Sequence, residues 1–310
     1  MVTTLVALAI LAQGTSIYNG QPLAGSGGSV ASWGGGKIEE TAETSLAGGR
    51  SLKVETNNMF QGGVLKLGSP VDLSGFAANK QDLLTIGLYV ADFSGASASG
   101  GGGTPANIGG AMGGRAGAMG GGGRAGGAAV GGGGAAEPPA AGSSETPRME
   151  NLRLVITTTD GKRSEAMIPV RSAGRWVQAG IPVSMIPGFA KTNRTIQSIA
   201  VSADAPTYFY VGEIKVTQDV SPIQGQIHNT ALNVGKGTEV VLQSTAEGGA
   251  TPLVFIWDFN STDGLQEEAT GQAVRHKFRQ PGTFKVTLTV KDIYGLKTPW
   301  VGTLDVTVNP

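Results

Sequence analysis

The chain lacks cysteine altogether and has only two histidines among its 310 residues. The absence of cysteine excludes disulfides, thiol nucleophiles and thiolate metal sites. His228 has no second histidine or carboxylate at ligand spacing, and neither histidine supports zinc binding or nucleophilic catalysis. The serine-hydrolase motif G-x-S-x-G and the zinc motif H-E-x-x-H are absent as well. These absences predict that the protein is not an enzyme.

An excess of charge of either sign is also missing. The 23 Lys and Arg residues balance the 23 Asp and Glu residues, so the formal net charge is zero. Such a chain has no strong electrostatic field that would attract nucleic acid or an anionic membrane surface. We therefore expect no nucleic-acid partner.

The longest apolar run stands at the N-terminus and covers about eleven residues, too few to span a bilayer as a helix. It matches the hydrophobic core of a secretory signal, with Ala12 and Gly14 as the small residues of a cleavage site. We expect residues 1–14 to be a signal peptide and the mature chain to have no membrane span. The alternative is a buried first strand or helix of the mature domain.

Glycine is abundant, with 51 residues, and is concentrated in one tract. From Gly95 to Pro147, 21 of 53 residues are glycine and large apolar side chains are almost absent. Such a segment cannot bury enough apolar surface to offset its ordering entropy, which predicts disorder at 95–147. Strand-like segments stand on both sides, so the tract is predicted to be a loop inserted within one domain.

The rest of the chain consists of short runs rich in β-branched and aromatic residues, with period-two alternation and turn residues at their ends. No stretch carries a sustained helical period. The pattern predicts an all-β protein. The clearest runs are at 51–55, 63–67, 84–90, 152–157, 196–201 and 208–216.

The most regular alternation follows the turn at Pro281-Gly282, where one set of side chains would face inward and the other would face solvent. The inward set is Phe284, Val286, Leu288 and Val290, and the outward set is Lys285, Thr287, Thr289 and Lys291. Together with Trp257-Asp258-Phe259 and His276-Lys277-Phe278, this stretch resembles a PKD domain, an immunoglobulin-like sandwich of extracellular proteins. The resemblance implies a spacer or binding module over residues 221–310, with a structural role for His276.

The preceding part resembles a galactose-binding-like jelly roll, the architecture of many carbohydrate-binding modules. The resemblance lies in Gly49-Arg50-Ser51-Leu52-Lys53-Val54, in Pro70-Val71-Asp72-Leu73-Ser74, and in Trp176 ahead of Ile181-Pro182. It implies a first sandwich over residues 15–220, interrupted by the glycine-rich tract. Because that family often holds a structural calcium ion, Glu213 is a weak calcium candidate, while no other cofactor is expected.

Aromatic side chains are the candidates for sugar binding, because sugar rings stack on flat aromatic faces and neighbouring polar groups bond the hydroxyls. Trp33 lies among serines and glycines, where a loop could present its ring. Phe60 stands beside Gln61 and follows two asparagines, and Trp176 is flanked by Arg175 and Gln178. We predict ligand contacts from Trp33, Phe60, Gln61 and Trp176. The alternative for each aromatic is a place in the core.

Two functional hypotheses remain. The first is a secreted or cell-surface protein that binds carbohydrate or is adhesive, with a polysaccharide or cell-surface glycan as its partner. The second is a structural component of an extracellular or cell-surface assembly, such as a filament or surface layer, formed by self-association. An open groove lined by Trp33 or Phe60 favours the first hypothesis. Exposed strand edges or apolar patches favour the second.

Overall fold

The computed structural model describes residues 14–76, 78–90, 149–170 and 174–310. The expected signal segment, up to residue 13, and the expected disordered insertion at 95–147 lie outside these residues. The described part of the chain is all-β, as predicted, and its strands form two successive sandwiches. The two sandwiches have separate hydrophobic cores.

The first sandwich contains eleven strands and one four-residue helix among the described residues. The helix is α1 (Leu23–Ser26), and short 3₁₀ turns cover Ser74–Phe76, Val183–Met185 and Phe189–Lys191. The strands are β1 (Thr15–Tyr18), β2 (Ser29–Trp33), β3 (Lys37–Thr41), β4 (Ser51–Thr56), β5 (Gly62–Asp72), β6 (Asp82–Val90), β7 (Asn151–Thr158), β8 (Arg163–Pro169), β9 (Trp176–Pro182), β10 (Thr195–Ala203) and β11 (Thr207–Gln218).

These strands form two antiparallel sheets. Sheet A has the order β3-β4-β11-β6-β9, with β1 also paired to β11, and sheet B has the order β2-β5-β10-β7-β8. From β4 onward the chain passes to the other sheet at every connection except the β7–β8 hairpin. Such alternation between two facing sheets is consistent with the jelly roll that the resemblance implies.

The core of the first sandwich follows from period-two alternation in its central strands. In β6, Leu84, Ile86 and Leu88 are fully buried and point toward sheet B. The intervening residues, Thr85, Gly87 and Tyr89, therefore lie on the outer face of sheet A. Each large apolar side chain removed from water stabilises the fold by roughly 1.5–3 kcal/mol, so the register of the strands is strongly specified.

The second sandwich contains a sheet with the order β12-β14-β17 and a sheet with the order β13-β19-β18-β15-β16. The β13–β19 pair is parallel, and the other pairs of this sandwich are antiparallel. A 3₁₀ turn covers Ser261–Asp263. The strands are β12 (Gln224–Ile227), β13 (Leu232–Gly235), β14 (Glu239–Glu247), β15 (Leu253–Asp258), β16 (Ala269–Thr270), β17 (Ala273–Lys277), β18 (Gly282–Asp292) and β19 (Trp300–Asn309).

The alternation predicted for β18 is present, with two differences in burial. Val286, Leu288 and Val290 are fully buried around Trp257, as predicted, whereas Phe284 is half-buried. Thr287 was predicted to face solvent but is buried. In the sheet, Thr287 lies between its partners Asp258 of β15, which is itself buried, and Thr303 of β19.

The two sandwiches belong to one compact unit and meet at a defined junction. The backbone N–H of Gly180 in β9 donates to the carbonyl of Ala250 at 2.8 Å. Asp219, which directly follows β11, forms an ion pair of 2.7 Å with Lys297, and both side chains are only 6% exposed. The segment that leaves the first sandwich is therefore bonded to the second sandwich.

Candidate functional site

Four aromatic side chains lie next to one another on the outer face of sheet A. Trp176 of β9 pairs with Tyr89 of β6, and Tyr89 pairs with Tyr210 of β11. Tyr208 stands two residues before Tyr210 and therefore shares its face. The ring centroids are separated by 5.7 Å for Tyr89–Trp176, 6.0 Å for Tyr89–Tyr210 and 5.8 Å for Tyr208–Tyr210. We call these four residues the aromatic strip.

The strip is a faceted surface rather than one flat platform. Successive ring planes are inclined by 55°, 66° and 89°. Trp176, Tyr89 and Tyr208 are half-buried, whereas Tyr210 is 6% exposed. The rings therefore form no single plane, and the half-buried Trp176, Tyr89 and Tyr208 are the rings that a ligand can reach.

A bulge in β11 allows Trp176 to lie against the sheet. The register of β11 against β6 shifts between Val211 and Glu213, which leaves Gly212 as the extra residue. A Cβ atom at Gly212 would lie 2.7 Å from the Trp176 ring and 2.6 Å from Leu46. The glycine therefore provides the space into which the indole packs.

Hydrogen-bonded ion pairs flank the strip. Lys53 Nζ lies 5.2 Å from the Tyr208 ring centroid and donates to Glu43 at 2.9 Å. Glu43 also accepts a hydrogen bond of 2.6 Å from the Tyr210 hydroxyl. This bond, followed by the one from Lys53, lowers the pKa of Glu43, while burial and the bond to Glu43 raise the pKa of Tyr210 to about 12. At neutral pH Glu43 is thus an anion and Tyr210 a neutral donor.

The pairing of charges extends around the strip. Glu213 accepts from Lys215 at 2.9 Å and from Gln178 at 2.6 Å, and Lys37 pairs with Glu55 at 3.2 Å. Each of the three lysines is thus paired with a glutamate, counting the Lys53–Glu43 pair, and Glu39 lies opposite Lys53 on the neighbouring strand. A surface of this kind offers aromatic faces and hydrogen-bonding groups, and its lysines are already paired.

Glu213 does not fit the calcium site that the resemblance implies. Its carboxylate is already bonded to the ammonium group of Lys215 and to the amide of Gln178, and a neighbouring cation opposes the binding of another. Within the described ranges, no group of three or more His, Asp or Glu side chains is placed to hold a metal ion.

The predicted residues Trp33 and Phe60 come together on the opposite sheet, around Arg153. The Arg153 guanidinium carbon lies 4.9 Å from the Trp33 ring centroid and 5.0 Å from that of Phe60. Arg153 makes two 2.6 Å bonds to Glu165 and one of 2.9 Å to the carbonyl of Met59. These five residues are called the arginine cluster.

The register of sheet B explains how the cluster forms. Trp33 pairs with Gly62, Gly62 with Ser202, and Ser202 with Arg153, so all four lie in one row across the sheet. The two residues between the tryptophan and the arginine are small, which leaves room for the long guanidinium side chain to reach the indole.

The predicted ligand set is therefore divided between two surfaces. Trp33 was expected in a loop, but it is the last residue of β2, because its pairing with Gly62 extends the strand. Phe60 lies in a turn and is 67% exposed, and the Gln61 side chain accepts a bond of 2.9 Å from Asn57. Trp176 lies on sheet A, and it is half-buried against Gly212 rather than in the core.

Sequence reasoning missed Tyr89, Tyr208 and Tyr210. The signal was present, since these tyrosines alternate with buried neighbours such as Phe209 and Val211 and must point outward. Outward aromatics in a predicted strand are unusual enough to mark a surface.

His276 and two aspartates of the second sandwich have structural roles. His276 stacks on Phe259 with ring centroids 3.8 Å apart, and burial lowers its pKa. Asp258 and Asp292 accept hydrogen bonds from backbone N–H groups of the turns that follow them. In the part of the chain that the structure describes, no helix is long and apolar enough to cross a membrane.

The second sandwich is similar in sequence to a known domain family. Residues 219–308 match the family model of the PKD domain, which confirms the resemblance of this part of the chain. No curated protein matches the chain.

Three solved structures are similar to parts of the chain. The PKD domain of the human VPS10 domain-containing receptor SorCS2 has 22% identity and a TM-score of 0.23, with 28% of this chain and 72% of that chain covered. Fibronectin(III)-like modules of Clostridium thermocellum CbhA have 9% identity and a TM-score of 0.25, with 54% and 81% covered. A Saccharophagus degradans nucleoside hydrolase-related hypothetical protein, associated with carbohydrate metabolism, has 12% identity and a TM-score of 0.25. The similar region covers 30% of this chain and 26% of that protein.

Proposed function

We propose that the chain is a non-catalytic extracellular or cell-surface protein that binds a neutral polysaccharide on the aromatic strip. The observation that carries the proposal is the contiguous group of four aromatic rings on the outer face of sheet A. The PKD domain at 219–308 supports the location, because this family is typical of extracellular proteins.

The chemistry of the strip favours sugar over other ligands. Sugar rings present C–H faces to aromatic rings, and their hydroxyls can both donate and accept hydrogen bonds. Glu43, Lys53 and Gln178 stand beside the rings with donors and acceptors. The pairing of the nearby lysines with glutamates favours a neutral glycan over an anionic one, because an anionic polymer gains most from unpaired cations.

The test is retention of the purified protein on cellulose, chitin, xylan and mannan, with polygalacturonate as the anionic comparison. We expect one neutral polysaccharide to retain the wild type. Trp176→Ala and Tyr208→Ala should each weaken binding about tenfold or more, as expected for an aromatic anchor of an interface. Phe60→Ala is the matched control, because it removes an aromatic ring from the opposite sheet.

Two results would contradict the proposal. Failure of the wild type to bind any neutral polysaccharide would refute the proposed function. Loss of binding in Phe60→Ala, with Trp176→Ala and Tyr208→Ala unaffected, would move the site to the arginine cluster. Melting temperatures of all three variants separate loss of a ligand contact from loss of the fold.

Self-association is the second candidate, and it rests on a different surface. Phe60 is 67% exposed and Met167 is 37% exposed. Met167 lies in β8, the edge strand of sheet B, where it pairs with Arg153 of β7. Exposed apolar side chains beside a sheet edge are a common basis of assembly. Analytical ultracentrifugation should then show oligomers in the wild type that Phe60→Ser combined with Met167→Ser dissociates. A monomer at all concentrations would reject this candidate.

A further inference from the structure

The aromatic strip continues into a cleft at the junction of the two sandwiches. The cleft has a volume of about 480 Å³. Trp176, Gln178 and Arg175 line it from the first sandwich, while Glu247 and Gln272 line it from the second. Trp176 belongs to both features, so a ligand that contacts the last ring of the strip already stands at the mouth of the cleft.

We propose that the polysaccharide site extends from the strip into this cleft, so that the second sandwich contributes direct contacts to a chain of several sugar units. The inference rests on the proposed function and deepens it, because it identifies the ligand as several consecutive units of a neutral polymer rather than a single sugar. Trp176 is both the last ring of the strip and part of the cleft wall. A chain that contacts the strip and continues past Trp176 therefore places further units in the cleft.

The polar groups of the cleft suit hydroxyls. Gln178 donates to Glu213 through Nε2, while no donor among the described residues reaches its buried Oε1 atom. A buried acceptor without a partner costs free energy, so a ligand that reorients this amide and donates to its oxygen would recover part of that cost. Gln272 lies on the opposite wall with an exposed side chain.

The charges of the cleft again favour a neutral ligand. Arg175 and Glu247 form an ion pair of 3.2 Å between the two walls, with side-chain exposures of 64% and 76%. An exposed pair of this kind contributes little to stability, so its groups can exchange with ligand hydroxyls at small cost. The other pair at the junction, Asp219–Lys297, is buried and already satisfied.

Hydrogen bonds across the junction hold the two walls of the cleft in place. Lys297 Nζ bonds the carboxylate of Asp219 at 2.7 Å and the carbonyl of Ser221 at 2.9 Å, and it also bonds the carbonyl of Gly248. The Gly180–Ala250 backbone bond lies at the same junction. Because the walls are already in place, binding does not have to order them, which preserves affinity.

The test measures binding of a di-, tetra- and hexasaccharide of the polysaccharide that retains the wild type, by calorimetry with the full chain. We expect affinity to rise from the disaccharide to the hexasaccharide. Gln272→Ala and Glu247→Gln should each weaken hexasaccharide binding by about five- to tenfold, the loss expected for one or two hydrogen bonds, and leave disaccharide binding unchanged. The matched controls are Gln226→Ala and Glu239→Gln, which change the same residue types elsewhere in the second sandwich.

The outcomes separate the two proposals. Affinity that does not depend on chain length, or cleft variants that bind the hexasaccharide like the controls, would confine the site to the strip and overturn the extension alone. If no polysaccharide retains the wild type, the proposed function itself is refuted. Weakening of the hexasaccharide by the cleft variants, and not by the controls, supports the extension.

Discussion

The buried ion pair at the junction offers a quantitative test of how the two sandwiches are joined. Lys297 is 6% exposed, and its ammonium group is surrounded by Asp219 and by the carbonyls of Ser221 and Gly248. Lys297→Met keeps most of the side-chain volume and removes the charge. The variant leaves the Asp219 carboxylate buried without its cation, which costs about 3–5 kcal/mol of unfolding free energy.

The assay is urea denaturation at neutral pH, accompanied by calorimetric melting. For a chain of this size the loss corresponds to a decrease in melting temperature of roughly 10 °C. Lys291→Met, an exposed position in β18, is the control and should change stability by about 0.5 kcal/mol or less. The double variant Asp219→Asn and Lys297→Met removes both charges, so it should recover much of the loss.

The pH dependence provides an independent check. Burial alone would raise the pKa of Asp219, but hydrogen bonds from Lys297 and from the N–H groups of Ala250 and Ser221 hold it below its usual value. A carboxyl whose pKa is lowered in the folded state contributes stability above its unfolded pKa, and this contribution is lost as the pH falls through the folded pKa. Lys297→Met should therefore lose less stability on acidification than the wild type. A decrease below 1 kcal/mol at neutral pH, or a double variant no more stable than the single one, would refute this account of the junction.

Three further predictions concern single residues. Gly212→Ala places a methyl group against the Trp176 ring, so it should weaken polysaccharide retention at least fivefold and lower the free energy of unfolding by about 1–3 kcal/mol. Unchanged retention would contradict the packing of Trp176 against Gly212. Trp257→Ala should cost about 3–5 kcal/mol in urea denaturation, because the side chain is fully buried, and a loss comparable to a surface substitution would be inconsistent with its position. Arg153→Met should lower the free energy of unfolding by only about 1–2 kcal/mol, because the Glu165 side chain is 51% exposed and remains solvated. A loss above about 3 kcal/mol in urea denaturation would contradict this solvation of Glu165.

The class of the fold and the second sandwich were predictable, because their determinants are local. The alternation of Val286, Leu288 and Val290 with polar residues requires one buried face, whatever the rest of the chain does. Thr287 departs from the pattern, since its burial comes from neighbouring strands rather than from its own sequence position. Trp33 departs for a related reason, because its pairing with Gly62 extends a strand into a stretch whose glycines and serines favour a loop.

The aromatic strip was only partly predictable. Alternation identifies Tyr208 and Tyr210 as outward-facing, since Phe209 between them is buried. It cannot show that β11 pairs with β6, or that β6 pairs with β9, because these neighbours are far apart in sequence. The assembly of Trp176, Tyr89 and Tyr210 into one row depends on this order and on the bulge at Gly212. Arg153 is missed for the same reason, because its contact with Trp33 crosses two intervening strands.

The position of Asp219 decides where the chain can be divided into modules. This residue directly follows β11, yet its bonds reach Lys297 and Ala250 of the second sandwich. A PKD fragment that begins at residue 222 would leave Lys297 without its anion, whereas one that begins at 219 retains the pair. Another PKD domain without a lysine equivalent to Lys297 would leave Asp219 buried without a cation, at the same cost of about 3–5 kcal/mol. In modular exchange we therefore expect the two sandwiches to behave as a matched pair rather than as independent units.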